Sequence, residues 1–290
     1  MKREKFKIWF QAARAETLIV SICPITIGAF LAHREIKLNV IVLVLSYIYG
    51  LLVHLGTNLS NDYFDYIKGA DTDKRIAPLS TIQKKTTSLD QIKTAYLISF
   101  IAAFIIGILL ILRGGMLIAL LFTLPIISGY FYTGGKHPLG YIGLGEILVL
   151  LFFGPFAVWG TYYLQTLKLS FTPFLLGFGP GFLIAAVIII NNIRDMVTDK
   201  EANKNTLAVK FGKKFAQIEY FICVFLAFIT PLIFFNFSQK PIILCSSVFI
   251  FFVPFKLIMN FKTPSLLNDG LKKTVLLSII YTAFFCIALI

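Results

Sequence analysis

Long uninterrupted apolar runs constrain this chain more than any motif does. A backbone surrounded by lipid must satisfy every N–H and C=O within its own segment or barrel, so only helices and closed β-barrels span a bilayer. Runs of helical spanning length, about 17–25 residues, can be placed at roughly 15–33, 38–60, 93–112, 115–133, 142–164, 173–192, 215–236, 240–260 and 272–290. With 58% hydrophobic and 14% charged residues, the chain retains no soluble domain once these runs are set aside. The expectation is an all-α, polytopic membrane protein of about nine transmembrane helices, built as a single domain over residues 1–290. That count needs the close pair of runs around Gly114-Gly115 to be two spans.

Lysine and arginine decide the orientation, because cytoplasmic loops carry the excess of positive charge. Of the 27 such residues, all but Arg34, Lys37, Arg113, Lys168 and Lys240 fall on one side when the runs are threaded in order. The N-terminus is thereby expected in the cytoplasm and the chain in the cytoplasmic (inner) membrane as a multi-pass protein. The net charge of +13 follows from this bias and from attraction to the anionic lipid of the bilayer. No nucleic-acid recognition module accompanies it, so nucleic acid is not an expected partner. The four cysteines, Cys23, Cys223, Cys245 and Cys286, stand alone in apolar runs without metal-ligand spacing. Glu16 and Pro24 interrupt the first run and basic residues precede it, which suits a retained span better than a cleaved signal.

Against this background two acidic clusters stand out, Asn58-x-x-Asn61-Asp62-x-x-Asp65 and Asn191-Asn192-x-x-Asp195-x-x-x-Asp199, each at the cytoplasmic end of an apolar run. A carboxylate beside the bilayer core is costly unless paired, and such residues mark function by default. In the first cluster His54, Asn58, Asn61, Asp62 and Asp65 recur at helical spacing and share one face. Asp195 and Asp199 follow Asp62 and Asp65 at a nearly constant offset. That regularity predicts a pseudo-repeat in which the second and sixth spans occupy equivalent places and turn their acids toward one cavity. Carboxylate and amide oxygens are hard ligands that suit Mg²⁺ completed by substrate phosphates. Lys68, Lys74 and Arg75 follow the first cluster, and Arg194, Lys200 and Lys204 interleave the second. Acids alone would repel a diphosphate, whereas metal-binding acids among cations would clamp one.

Other polar residues carry two readings each. Arg14 can snorkel to the interface or contact an acidic substrate. Glu146, inside an apolar run, needs protonation or a partner, so it serves either a cavity or a structural hydrogen bond. His54 is either a cavity contact or a packed core residue. Lys136 is an interfacial anchor or a secondary phosphate contact. Tyr130, Phe131 and Tyr132, at the cytoplasmic end of the fourth run, are candidates to stabilise a cation with their ring faces.

The segment from Asn58 to Asp73 resembles the first aspartate-rich motif of the UbiA superfamily of intramembrane prenyltransferases, and that from Asn191 to Gly212 resembles the second. Arg14-x-x-Thr17, the Pro138–Tyr163 segment with its Gly-Leu-Gly-Glu, the paired asparagines before Arg194-Asp195 and Lys204-x-Thr206-Leu207-Ala208-Val209 are similar to the branch that prenylates 1,4-dihydroxy-2-naphthoate in menaquinone synthesis. The resemblance implies helices around a central cavity, open sideways to lipid and capped by two cytoplasmic loops. It implies that Asp62, Asp65, Asp195 and Asp199 are catalytic and hold Mg²⁺. Asn58, Asn61, Lys68, Arg75, Asn192, Arg194, Lys204, Arg14 and Tyr132 would bind the substrates, a polyprenyl diphosphate and an aromatic acceptor. One departure is Gly69, where the superfamily often has a third aspartate; Asp71 and Asp73 follow it instead.

Chemically, cations around a departing diphosphate let an allylic C1–O bond ionise, after which an electron-rich ring attacks that carbon. The resemblance specifies dihydroxynaphthoate as the acceptor, with its carboxylate lost at the position attacked; 4-hydroxybenzoate or homogentisate is the alternative. A transporter is the competing class, and its charged site would lie near the midplane. A CDP-alcohol phosphotransferase would carry an Asp-Gly-x-x-Ala-Arg motif that this chain lacks.

Overall fold

A computed structural model of the chain describes residues 2–71, 76–234, 254 and 256–289. Arg75, with Asp73 and Lys74, lies outside the described residues, as do Cys245 and most of the expected span at 240–260. The helices are α1 (Lys2–Ala12), α2 (Ala15–Leu18), α3 (Ile22–His33), α4 (Val40–Ile67), α5 (Leu89–Phe131), α6 (Gly145–Phe152), α7 (Pro155–Thr166), α8 (Phe171–Leu176), α9 (Phe178–Glu201), α10 (Leu207–Phe211), α11 (Lys213–Phe234) and α12 (Leu267–Leu289). No strand occurs among the described residues.

Seven helical stretches are long and apolar enough to cross a membrane: Ala15–His33, Val40–Ile67, Leu89–Phe131, Gly145–Thr166, Phe171–Glu201, Lys213–Leu232 and Pro264–Leu289. The third is 43 residues long, which as one straight helix would reach about 65 Å, twice the ~30 Å hydrocarbon core. It does not run straight. Gly115 adopts φ 69° and ψ −156°, a region essentially open to glycine alone. The two arms then run back along each other: the Tyr96 and Tyr130 rings lie 6.5 Å apart, and a Cβ on Gly129 would stand 3.4 Å from the Phe100 ring. The expected runs at 93–112 and 115–133 are these two arms.

One further span is interrupted where the backbone chemistry requires it. Pro155 supplies no N–H to continue α6, so the helix restarts as α7 with proline in its first turn. Gly154 at the break is packed so closely that a Cβ would meet the Leu150 carbonyl at 2.4 Å. Gly177, between α8 and α9, keeps helical dihedrals (φ −62°, ψ −22°) and is packed so closely that a Cβ would meet Pro155 Cα at 2.5 Å. Helix α4 begins where the Asn39 side chain accepts from Val42 N at 3.1 Å. Helix α5 begins in a capping box of Ser88 and Gln91.

Helix α9 is the centre of the bundle. Leu183, Ile184, Val187, Ile190 and Ile193 pack with Tyr220 and Val224 of α11 and Tyr281 and Phe285 of α12 in one buried cluster. A second cluster joins Tyr49 and Val53 of α4, Leu110 and Ile118 of α5, and Leu164 of α7. Ile98, Ile101, Phe104, Ile105 and Leu112 of α5 face outward and exposed, as a lipid-contacting helix requires.

The two ends of the bundle differ in character. At one end Asn39 and Gln165 exchange hydrogen bonds of 2.8 and 3.1 Å. Arg113 there donates to the carbonyls of Leu164 and Gln165 at 2.6 and 3.1 Å, satisfying oxygens that the end of α7 leaves without intrahelical partners. The opposite end collects the acidic clusters.

Candidate active site

Helices α4 and α9 deliver their acidic residues to the same end of the bundle, where one ammonium bridges them. Lys204 Nζ, in the turn after α9, lies 3.6 Å from Asp65 Oδ2 and 3.7 Å from Asp199 Oδ1. Burial works to lower the pKa of Lys204, but Asp65 and then Asp199 outweigh it and hold the ammonium above its ordinary range. Tyr141 donates to Asp65 Oδ1 at 2.9 Å. Its backbone carbonyl accepts from Asn205 N at 2.8 Å, which ties the 138–144 segment to the turn that carries Lys204.

The other two aspartates are paired as well. Arg14 forms an ion pair with Asp62, whose side chain is only 4% exposed. Arg14 itself holds a left-handed backbone, φ 51° and ψ 48°, between α1 and α2; such strain persists where surroundings over-determine it. Arg194 clasps its neighbour Asp195 with two bonds, Nε to Oδ1 at 2.9 Å and Nη2 to Oδ2 at 2.6 Å. Its Nη1 donates to Asn268 Oδ1 of α12 at 2.9 Å.

Of these groups Arg14, Asp62 and Arg194 stand at the mouth of a cavity of about 510 Å³, whereas Asp65, Asp195, Asp199 and Lys204 lie outside its lining. Arg14, Asn58, Asn61, Asp62, Asn191, Arg194 and Tyr132 line it, and Phe10, Gln11 and the 77–80 segment border it. Deeper walls are apolar, from Val53, Pro125, Leu148, Phe152, Phe153 and Val187. The charged groups thus sit at helix ends beside an apolar chamber, not at the middle of the spans where a transporter would hold them.

Several expected residues take other partners. Asn192 donates to Glu146 Oε1 at 2.6 Å, both buried, while Asn191 faces the cavity; neighbours on a helix point ~100° apart. Glu146 therefore makes a structural hydrogen bond. Lys68 donates to the carbonyls of Thr133 and Gly135 at 2.5 and 3.0 Å and lies 5.0 Å from the Tyr141 ring. Burial lowers its pKa, with Asp65 opposing. Asn61 accepts from Thr133 Oγ1 at 2.8 Å, and Asn58 donates to the Ala13 carbonyl at 3.2 Å. Of the three aromatic candidates Tyr132 alone lines the cavity; Tyr130 packs against Phe64 and Tyr96, and Phe131 is exposed. Lys136 and Lys200 are exposed. Tyr141, Thr133 and Asn268 joined the site without a signal in the acidic spacing.

Residues 21–288 match the model of the UbiA prenyltransferase family. This chain is a member of the UbiA prenyltransferase family. It is 40% identical over 220 residues to the 1,4-dihydroxy-2-naphthoate octaprenyltransferase of Haemophilus influenzae, covering 73% of this chain and 71% of that one. It is 36% identical over 234 residues to the enzyme of that name from Escherichia coli, covering 79% and 76%. Among solved structures, a UbiA homolog from Archaeoglobus fulgidus bound to DMAPP and Mg²⁺ superposes with a TM-score of 0.68 at 15% identity, covering 97% and 98%. The apo UbiA homolog from Aeropyrum pernix K1 gives 0.70 at 13%, covering 94% and 98%. The fold of this UbiA protein is therefore theirs.

The donor set of the UbiA site fits a hard divalent cation by its chemistry: carboxylate oxygens of Asp62, Asp65, Asp195 and Asp199 beside the amide oxygens of Asn58 and Asn61. No three His, Cys, Asp or Glu side chains among the described residues gather around one point. Lys204, Arg14 and Arg194 neutralise the carboxylates instead. Tyr132 feels both clusters. Burial first, with Glu146, Asp65 and Asp199 adding to it against Lys204, raises its phenol above the ordinary value.

Proposed function

We propose that this protein transfers a polyprenyl group from polyprenyl diphosphate to 1,4-dihydroxy-2-naphthoate, with loss of the acceptor's carboxylate, in a Mg²⁺-dependent reaction at the cytoplasmic end of the bundle. The observation that carries this reading is the bridging of Asp65 and Asp199 by Lys204 beside a cavity that is charged at its mouth and apolar within. A prenyl diphosphate has the same polarity along its length. The names of the relatives in Haemophilus influenzae and Escherichia coli supply the acceptor. The bias of basic residues supplies the orientation, and the repeated acidic faces of α4 and α9 support a pseudo-repeat with one motif in each half.

Asp62, Asp65, Asp195 and Asp199 would hold the metal, with Asn58 and Asn61 beside them. When bound, Mg²⁺ would act as a Lewis acid that neutralises charge developing on the leaving diphosphate. Arg14, Lys204 and Arg194 are the chain's own contribution to the same end. Each now pairs with a carboxylate and would turn its charge to phosphate oxygens, aided by Lys68 and Arg75. Asn192 acts from behind, positioned by Glu146. The apolar walls exclude water from an allylic carbocation that would otherwise be hydrolysed, and Tyr132 offers that cation its ring face.

The test is turnover in membranes supplied with Mg²⁺, polyprenyl diphosphate and, side by side, dihydroxynaphthoate, 4-hydroxybenzoate and homogentisate. A prenylated, decarboxylated naphthoquinol and diphosphate are expected, lost on chelation and restored by Mg²⁺. Asp62→Ala and Asp195→Ala should each lower turnover by about 10²-fold or more, the scale of a removed electrostatic stabiliser, with membrane insertion preserved. Exclusive use of a benzoate would move the acceptor and keep the reaction class. Full activity in both variants would remove the metal-site assignment.

A further inference from the structure

His54 is the polar residue on the cavity face of α4 that the metal and diphosphate leave unused. His54, Thr57, Asn58, Asn61 and Asp62 all line the cavity from one face of this helix. Toward the mouth each of the others has a protein partner. Thr57 Oγ1 donates to the Val53 carbonyl at 2.8 Å, Asn58 to Ala13, Asn61 accepts from Thr133, and Asp62 accepts from Arg14. His54, one turn deeper than Asn58, has a buried Nδ1 with no hydrogen-bond partner. A histidine kept only for packing normally anchors a nitrogen on a backbone carbonyl or a side chain, because an unpaired buried nitrogen forfeits its hydration for nothing.

The surroundings of the ring suit an aromatic guest. Its edge meets Phe153 at a centroid distance of 5.0 Å and an interplanar angle of 73°, and Phe152 lines the same wall. The imidazole thus stands where the charged mouth gives way to an apolar chamber of aromatic faces. With no bond fixing its tautomer at Nδ1, a small rotation about χ2 can present a basic nitrogen to a bound hydroxyl.

Resting on the prenyl-transfer reading, we propose that His54 is a catalytic residue toward the aromatic acceptor, taking the proton of the hydroxyl adjacent to the carboxylate-bearing carbon as that carbon is prenylated. The ring carbon forms a C–C bond with prenyl C1 while the C1–O bond breaks and its electron pair leaves on diphosphate. The hydroxyl proton passes to the imidazole, and its O–H pair closes a carbonyl, so the ring becomes a β-keto acid. That acid loses CO₂. The freed electron pair restores the aromatic ring, and the carbonyl oxygen recovers the proton from the imidazolium. Carbon dioxide and diphosphate leave, and His54 ends as it began.

The experiment compares wild type with His54→Phe, which keeps a flat ring and removes both nitrogens, in nanodiscs with Mg²⁺ and polyprenyl diphosphate. Two acceptors are used, 1,4-dihydroxy-2-naphthoate and its 1-methoxy analogue, which can lose CO₂ directly without a proton transfer. A kcat lower by about 10²-fold, the usual worth of a positioned base, is expected with the hydroxyl acceptor. With the methoxy analogue the two proteins should differ by less than about threefold, since wild type then has no proton to take. The KM for polyprenyl diphosphate should stay within about twofold, which also reports an intact fold. Equal turnover of the hydroxyl acceptor by both proteins, or a 10²-fold gap that persists with the methoxy analogue, would overturn the assignment. Wild type that consumes prenyl diphosphate only with a non-naphthoate acceptor would overturn it through the acceptor alone, and wild type with no transfer at all would remove the underlying reading.

Discussion

Replacing Lys204 with methionine isolates the contact that joins the two acidic motifs. The substitution keeps the length of the stem and removes the charge, leaving Asp65 and Asp199 facing each other from different helices. At 3.6 and 3.7 Å and an effective dielectric of about 20, each attraction is roughly 4.5 kcal/mol before desolvation is subtracted. Removing one partner of a buried ion pair costs about 3–5 kcal/mol net. Here the side chains keep 11–18% exposure and the separations exceed hydrogen-bond length, so a loss of about 2–3 kcal/mol is expected. The decisive comparison is the double variant. Asp199→Asn alone should cost stability, yet added to Lys204→Met it should return about 1 kcal/mol, because it discharges the repulsion. Denaturation in mixed micelles with a chelator present measures all four proteins without a metal replacing the ammonium. Strictly additive losses, or wild-type stability in Lys204→Met, would show that the ammonium does not hold the motifs together.

Three glycine substitutions test the fold by different physics. Gly115→Ala adds a Cβ with nothing within 4 Å of it, so its cost is backbone strain at φ 69°, about 1–3 kcal/mol in the same denaturation assay. Wild-type stability there would mean that α5 need not double back through a glycine-only conformation. Gly28→Ala drives a Cβ to 2.4 Å from the Val158 carbonyl and 2.9 Å from Thr161 Cβ, and should cost about 1–3 kcal/mol by forcing α3 and α7 apart. Gly50→Ala meets only the flexible tip of Ile25 at 2.8 Å, so it should cost clearly less; the reverse order would contradict the packing.

Run length alone located most of the helices, because a segment in lipid has no partner for its backbone except itself. The reversal inside α5 was legible too, from Arg113 and the Gly114-Gly115 pair between the runs at 93–112 and 115–133, and one feature escapes the rule. Helix α1 contains Lys5 and Lys7 among Phe6, Trp9 and Phe10, too polar for a spanning run, and its docking through Gln11 Nε2 on the Leu79 carbonyl at 2.9 Å is a tertiary contact. The break at Gly154-Pro155 shifts helix boundaries without changing the path of the span.

At the site, helical periodicity predicted which acids share a face, and α4 and the end of α9 bring Asp65 and Asp199 to one ammonium. It could not say what each would touch, because a period assigns direction along one helix and is silent about the element opposite. Arg194 therefore serves its own neighbour Asp195, Asn192 turns to Glu146, and Lys68 spends its charge on two carbonyls. The pairings have a physical consequence of their own. Asp62, Asp65, Asp195 and Asp199 lie beside an apolar cavity, where an unpaired carboxylate would cost several kcal/mol or take up a proton. Arg14, Lys204 and Arg194 pair with them without a metal. In the proposed reaction the acids would exchange ammonium and guanidinium for a divalent cation while the released side-chain cations turned to the diphosphate, which would keep the charge balance through binding. Neither partner arriving alone would preserve it: the cation alone would leave three positive side chains unpaired, and the diphosphate alone would strand the acids. On that reading the pairing of acids with Arg14, Lys204 and Arg194 would favour joint binding of metal and diphosphate.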